Sequence, residues 1–189
     1  MLYDEGQHAM AEETRRVLAA RTDRTRLLEL LDCTGEWDEA FWTTAVEQGW
    51  TALAVPEEFG GLGLGLIELG LVAQEAGRVV SGAPFLTYGH GAVCALLASD
   101  DEDLLATWLP RLAKGEVKAA VAFAEDDGAM PAAPSVEYRD GRLRGTKGGV
   151  ACGLAADIAI VSASSPDGMV LALVDLGQAS GEELQRRGI

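Results

Sequence analysis

Histidine, cysteine and lysine are scarce in this chain, and each scarcity removes a class of chemistry. Only His8 and His90 are present, with no H-E-x-x-H or C-x-x-C spacing, so no metal site is expected. Cys33, Cys94 and Cys152 are odd in number and far apart, which fits reduced thiols and neither a disulfide framework nor a zinc knuckle. No lysine precedes Lys114, so the glycine-rich first third holds no Walker loop, which ends in Gly-Lys-Ser/Thr. No apolar run reaches membrane-spanning length, and Met1-Leu2-Tyr3-Asp4-Glu5 lacks the basic-then-apolar order of a signal peptide. No membrane partner is expected, and the default location is cytoplasmic. Positive charge is also in deficit, with 15 basic against 30 acidic residues and a formal charge of −15. Such a field repels nucleic acid and anionic lipid, and a nucleotide ligand would need local donors.

What is present describes a folded chain. The 189 residues are 48% hydrophobic and 24% charged, which is globular composition with enough length to bury one core or two small ones. Glycine gathers at one place. Residues 49 to 65 hold Gly49, Pro56, Gly60, Gly61, Gly63 and Gly65 between two apolar helical patterns. Pro56 removes a donor and biases Val55 away from the helical region, so no helix runs through it. A dinucleotide fingerprint needs a third glycine where Leu66 stands. The reading that remains is a tight corner docking Trp50 and Phe59 against neighbouring helices.

Around this corner the spacing predicts six helices. Asp4 with Gln7 forms a capping box for the first, which buries Met10, Thr14, Val17 and Leu18. A basic interruption from Arg21 to Arg26 precedes a short apolar turn through Leu27, Leu28, Leu30 and Leu31. Asp38 caps a third helix that carries Phe41, Trp42, Ala45 and Val46 and stops at Gly49. The fourth, from Leu66 to Ala76, is apolar nearly all round and is expected at the centre of the bundle. The fifth carries Tyr88, Ala92, Val93, Leu96 and Leu97. The sixth begins after Ser99 among the acids Asp100, Asp101, Glu102 and Asp103, buries Leu104, Leu105, Trp108, Leu109 and Leu112, and stops at Gly115.

From Val117 the periodicity changes. Residues 117–124, 136–139, 142–144, 157–163 and 169–175 read as strands, with Asp140-Gly141 a two-residue hairpin and Pro166-Asp167-Gly168 a turn. Helices followed by strands, without alternation, argue an α+β fold: an N-terminal all-α bundle over residues 1–116, then an incomplete antiparallel, barrel-like β domain over 117–189.

Glu47-Gln48-Gly49-Trp50, Val55-Pro56-Glu57-Glu58-Phe59-Gly60-Gly61-Leu62-Gly63, the run Glu68 to Arg78 and Trp108 to Glu116 together resemble, in order, the N-terminal domain of acyl-CoA dehydrogenases. The resemblance implies FAD held beside the β domain, an acyl-CoA substrate, and removal of its α-proton by a carboxylate while a hydride passes to the flavin. It also implies a homo- or hetero-oligomer with an acyl-CoA dehydrogenase-like subunit. The implied cofactor contacts are Phe123, Ala124 and Glu125 at one strand end and Val150, Ala151 and Cys152 at another. Departures are plain: Ala124 and Ala151 replace hydroxyl residues, Gly149 replaces a tryptophan, and Glu125-Asp126-Asp127-Gly128 lacks the family's Gly-Ser-Asp. An aromatic backing a ring contributes about 0.5–1.5 kcal/mol beyond its area, so FAD binding is weakened.

No catalytic residue is assigned, because the family's base lies in a C-terminal bundle expected beyond Ile189. Glu57, Glu58 and Glu75 read as helix-flanking or solvated carboxylates. Three functions stay open at this point: a flavoprotein subunit oxidising acyl-CoA thioesters, a non-catalytic subunit supporting an active homologue, and an unrelated helical binding module.

Overall fold

The computed structural model describes residues 3–33, 37–80, 85–125 and 130–177. Helix α1 (Glu5–Arg21) starts at the expected capping box, with Gln7 N donating to Asp4 Oδ1 at 2.8 Å and Asp4 N to Gln7 Oε1 at 3.2 Å. α2 (Arg24–Leu30) begins earlier than the leucine pattern suggests, because Asp23 accepts from the amides of Thr25 and Arg26. It buries no residue, and Leu28 and Leu31 stay 58% and 80% exposed. α3 (Glu39–Glu47) is capped by Asp38 and released at Gly49, whose φ of 71° suits glycine.

The corner that follows is two short 3₁₀ turns, Trp50–Ala52 and Glu57–Phe59, with residues 61–64 folded back over 52–55. Leu62 N donates to Ala52 O at 2.9 Å, Gly63 N to Val55 O at 2.8 Å and Leu64 N to Leu53 O at 2.7 Å. Gly61 permits this approach: a Cβ there would lie 2.0 Å from Val55 O. The corner buries Trp50 against Phe41, their rings 6.0 Å apart, and packs Phe59 on a second cluster, as the sequence suggests. Thr51 Oγ1 donates to Ala113 O at 2.7 Å, and Trp42 Nε1 to Gly115 O at 3.4 Å. Both satisfy carbonyls at the end of a later helix that have no partner within it.

α4 (Leu66–Arg78) starts at Gly65, whose amide donates to Glu68 Oε2. It buries Leu69, Leu71, Val72, Glu75 and Ala76 but leaves Leu66, Gly70, Gln74, Gly77 and Arg78 exposed. It therefore lies at the rim rather than the centre of the bundle, since glycine and glutamine occupy its outer stripe. A π-helical turn (Leu86–Gly91) leads into α5 (Ala92–Leu97), and α6 (Glu102–Ala113) runs from its Asp101 cap through Pro110. Residues 81–84 and the side chain of Tyr88, assigned from sequence to the fifth helix, lie outside the described residues. Among the described residues, no helix is long and apolar enough to cross a membrane.

The sheet contains β1 (Ala119–Ala122), β2 (Glu137–Arg139), β3 (Arg142–Arg144), β4 (Ile158–Ser165) and β5 (Gly168–Asp175). β4 is central: β5 pairs antiparallel along its whole length, while β1 and then β2 pair parallel along its other edge. β2 and β3 form the expected hairpin, with Asp140 and Gly141 both at positive φ. Helices followed by an incomplete sheet is the architecture the sequence suggests. The parallel pairings arise because β1 reaches β4 only after residues 123–157, long enough for a crossover.

The two parts share apolar cores. Ala119, Ile158 and Ile160 face one side and pack with Val93, Leu96, Trp108, Leu109 and Leu112 of α5 and α6. Ala120, Ala159 and Val161 face the other, covered by Trp37, Trp42, Val150 and Cys152. A third cluster, Val17, Leu18, Phe41, Trp50, Leu53, Leu69, Val72 and Phe85, holds α1, α3 and α4 together.

Candidate functional site

β1 runs on into Phe123, Ala124 and Glu125, and the turn after β3 passes beside them, Gly148 N donating to Ala124 O at 3.0 Å. Between them lies a buried polar knot. Lys147 Nζ reaches Glu125 Oε1 at 2.6 Å, Ser162 Oγ at 3.0 Å and Phe123 O at 3.4 Å. Glu125 also accepts from the backbone, from Ser135 N at 2.8 Å and Val136 N at 3.3 Å. Lys147 and Glu125 side chains are 7% and 8% exposed, and Ser162 is wholly buried. Lys147 above all, then Ser135, holds the Glu125 carboxyl down at about 2, against the opposing pull of burial. Gly145 makes the crossing possible: its φ is 142°, and a Cβ would stand 2.8 Å from Val136 Cα.

The structure thus brings Phe123, Ala124 and Glu125 to one side of this knot and leads into Val150, Ala151 and Cys152 on the other. Val150 and Cys152 are half-buried against Trp37 and Trp42, and Ala151 is exposed. These residues form successive turns instead of the strand the resemblance implies. Gly149 has φ 60° and Cys152 φ 48°, both left-handed, and the latter is a strained conformation for a residue with a Cβ. The turn after Glu125, residues 126–129, lies outside the described residues.

Do these residues fit a flavin? A flavin edge needs hydrogen-bond donors, and no described residue accepts from the amides of Val150 or Ala151 on this partly open turn. The aromatic backing is missing: a Cβ on Gly149 would meet nothing within 4 Å. The turn offers two amide donors and lacks an aromatic plate behind them.

Among the described residues, the remaining carboxylates are already committed or exposed. Glu75, read from sequence as solvated or helix-flanking, is 1% exposed at its side chain, bridging Arg15 at 2.9 Å and Arg78 at 3.1 Å. Arg15, the stronger cause, and Arg78 hold its carboxyl below the usual range. Only Arg78, three residues on, is a local signal, since Arg15 lies 60 residues away along the chain. Glu57 and Glu58 are exposed, as expected. His90 contacts Cys94, and among the described residues no three metal-ligating side chains converge.

Comparison with known proteins places this geometry. The family model for the acyl-CoA dehydrogenase N-terminal domain matches residues 4–116. The acyl-CoA dehydrogenase FadE28 of Mycobacterium tuberculosis is 41% identical over 127 residues, covering 66% of this chain and 36% of FadE28. A variant of the Tcur3481–Tcur3483 steroid ACAD superposes with a TM-score of 0.82 at 31% identity, over 94% of this chain and 49% of that one. The ChsE4–ChsE5 complex of Mycobacterium tuberculosis gives 0.82 at 24% identity, over 94% of this chain and 49% of that one. A Mycobacterium smegmatis glutaryl-CoA dehydrogenase in complex with FADH2 gives 0.80 at 24% identity, over 92% and 46%. The last two show a shared fold, and the chain spans only about half of each solved relative, 49% at most among these three. With the Pro-Gly corner at the centre of the matched stretch and the helices-then-sheet order on the page, this chain belongs to the acyl-CoA dehydrogenase family, whose N-terminal domain it carries.

Proposed function

We propose that this chain is a subunit of an FAD-dependent acyl-CoA dehydrogenase, with residues 1–116 as its helical domain and 117–189 as part of its middle domain. The observation that carries this reading is the Lys147–Glu125 knot, which fixes two chain segments side by side and leaves the Val150 and Ala151 amides to meet a ligand. FAD, when bound, would accept the hydride from the β-carbon of an acyl-CoA thioester. The chain's own part is positional. Phe123 to Glu125 and Val150 to Cys152 would hold the cofactor, and the knot keeps their backbones from drifting apart.

The same geometry argues that the proton acceptor comes from elsewhere. A base must be free to take a proton, and Glu125 is tied to Lys147 and two amides while Glu75 is tied to two arginines. Abstraction of the α-proton therefore needs a carboxylate from outside the described residues, from further chain or from an associated acyl-CoA dehydrogenase-like subunit. The ChsE4–ChsE5 complex is a solved relative of two components, which supports an assembly of this kind.

A second reading is a non-catalytic subunit that supports an active homologue. The open space at Gly149 and the missing hydroxyls at Ala124 and Ala151 favour it. Purified chain, alone and with any co-encoded homologue, separates the two by flavin absorbance and its bleaching on adding acyl-CoA. The flavoprotein reading expects a yellow complex that bleaches and whose flavin is lost when Val150→Pro removes an amide. A colourless chain that takes up no FAD and forms no active complex overturns it. An active complex whose flavin ignores that change supports the scaffold reading.

A further inference from the structure

The β2–β3 hairpin concentrates positive charge in a chain whose formal charge is −15. Its register sets Arg139 directly opposite Arg142 and Glu137 opposite Arg144, so by strand alternation these four share one face and Tyr138 and Leu143 the other. All three arginines are exposed. Every lysine of the chain and every arginine of α1 meets a carboxylate. Among the described residues, the side chains of Arg139, Arg142 and Arg144 have no ion-pair or hydrogen-bond partner, nor do those of Glu137 and Asp140 on the same hairpin. Like charges directly opposite one another destabilise a hairpin, and charge that serves only to block an open strand edge needs no such juxtaposition. The hairpin is also anchored at its root. The amides of Ser135 and Val136, which lead into β2, donate to Glu125, and Lys147, just beyond β3, meets the same carboxylate. The arginine face is thereby tied to the knot from which the turn at Val150 departs.

We propose that Arg139, Arg142 and Arg144 form a binding site for nucleotide phosphates, either the 3′-phosphate and pyrophosphate of coenzyme A or the pyrophosphate of FAD. The choice of these two nucleotides rests on the dehydrogenase reading. Guanidinium groups take phosphate oxygens in pairs, which suits them to this ligand better than ammonium groups. Opposite Cβ atoms on a hairpin lie about 5 Å apart and alternate residues of one strand about 7 Å apart, so three long side chains can close on one phosphate or bridge two. The field of the whole chain opposes an anion, and this face supplies the local donors that a nucleotide needs.

The test measures binding of coenzyme A, 3′-dephospho-coenzyme A and FAD to the full chain, with any co-encoded homologue, by titration calorimetry at low and high salt. The wild type is expected to prefer coenzyme A over its dephospho form and to lose affinity as salt rises. Arg142→Gln combined with Arg144→Gln removes two charge-assisted contacts, so it should weaken coenzyme A at least about tenfold and abolish that preference. Arg24→Gln, at an exposed arginine of α2, changes the net charge away from the hairpin and should leave affinity unchanged. Arg139→Gln, which removes one half of the like-charged pair, serves as a second variant should the double one fold poorly. A tenfold loss confined to FAD supports the site and names the flavin pyrophosphate as its ligand. Unchanged affinity for both nucleotides in the folded hairpin variants, an equal loss in Arg24→Gln, or a wild type that binds neither nucleotide overturns the proposal. Bleaching of flavin by saturating acyl-CoA is a separate readout. A complex that bleaches while the hairpin variants keep their affinity retains the dehydrogenase reading and loses this site, and arginine-dependent nucleotide binding without bleaching does the reverse.

Discussion

Glu75 in the helical part and Glu125 in the sheet are both buried carboxylates kept ionised, yet they are neutralised by different means. Glu75 lies on a helix whose backbone donors are used within the helix, so its partners are Arg15 and Arg78, with side chains 55% and 57% exposed, folding inward from the surface. Glu125 lies at a strand end, where the amides of Ser135 and Val136 are available, and its cation Lys147 is itself buried. Each part also contains a glycine whose replacement would drive a Cβ into backbone, Gly61 against Val55 O and Gly145 against Val136 Cα. The helical part thus draws its charge compensation from solvent-facing side chains and can rearrange them. The sheet part has built its compensation inside, and cannot.

The strongest break is Gly61→Ala. The 2.0 Å approach to a carbonyl oxygen leaves no side chain to give way, and a loss of about 3 kcal/mol is expected in urea denaturation. Gly60→Ala, at φ 79° but with nothing within 4 Å, is the control, costing about 1 kcal/mol of left-handed strain. Next, Lys147→Met should lower the urea midpoint more than Arg15→Met. The first leaves Glu125 buried without a cation, held only by Ser135 and Val136, whereas the second leaves Glu75 with Arg78. Equal losses would erase the distinction between the two parts.

Acid sharpens the same comparison. Glu125 is held at about 2 against an ordinary 4.5, so its ionised form stabilises the fold. That contribution is complete above about pH 4.5 and is lost as pH falls from there towards 2. Glu125→Gln should therefore lower stability at neutral pH and flatten the acid limb of urea midpoint against pH. An acid limb left unchanged by this substitution would mean that other carboxylates carry it. The smallest effect is Ser162→Ala, which removes one bond to Lys147 and should cost about 1 kcal/mol by the same measurement.

Much of the helical part was legible from sequence because its signals are local. Asp4 and Asp38 each cap the helix expected of them, the acids at residues 100–103 open the sixth helix, and Gly49 and Gly115 end two helices at positive φ. The start of α2 was missed because Asp23 caps residues that a leucine count treats as interruption. The rim position of α4 is hidden in its apolar content, because Gly70 and Gly77 have almost no side-chain surface to bury. In the sheet, strand positions were legible from alternation. The parallel pairing of β1 and β2 with β4 was not, since alternation carries no direction.

The candidate site divides the same way. Its segments could be named from resemblance, and the departures at Ala124, Gly149 and Ala151 could be read residue by residue. That Lys147, rather than solvent, meets Glu125 could not, because the two are 22 residues apart with a hairpin between them.

By itself the sequence determined where helices start and stop, where glycine must turn the chain, and that strands follow helices. These are contests between a side chain and its own neighbouring backbone, decided within a few residues. Only the tertiary structure decided which buried carboxylate meets which cation and which turn is left with unused amides. Those outcomes depend on segments far apart in sequence being forced together by apolar burial, after which each buried charge must find a partner or not be buried at all.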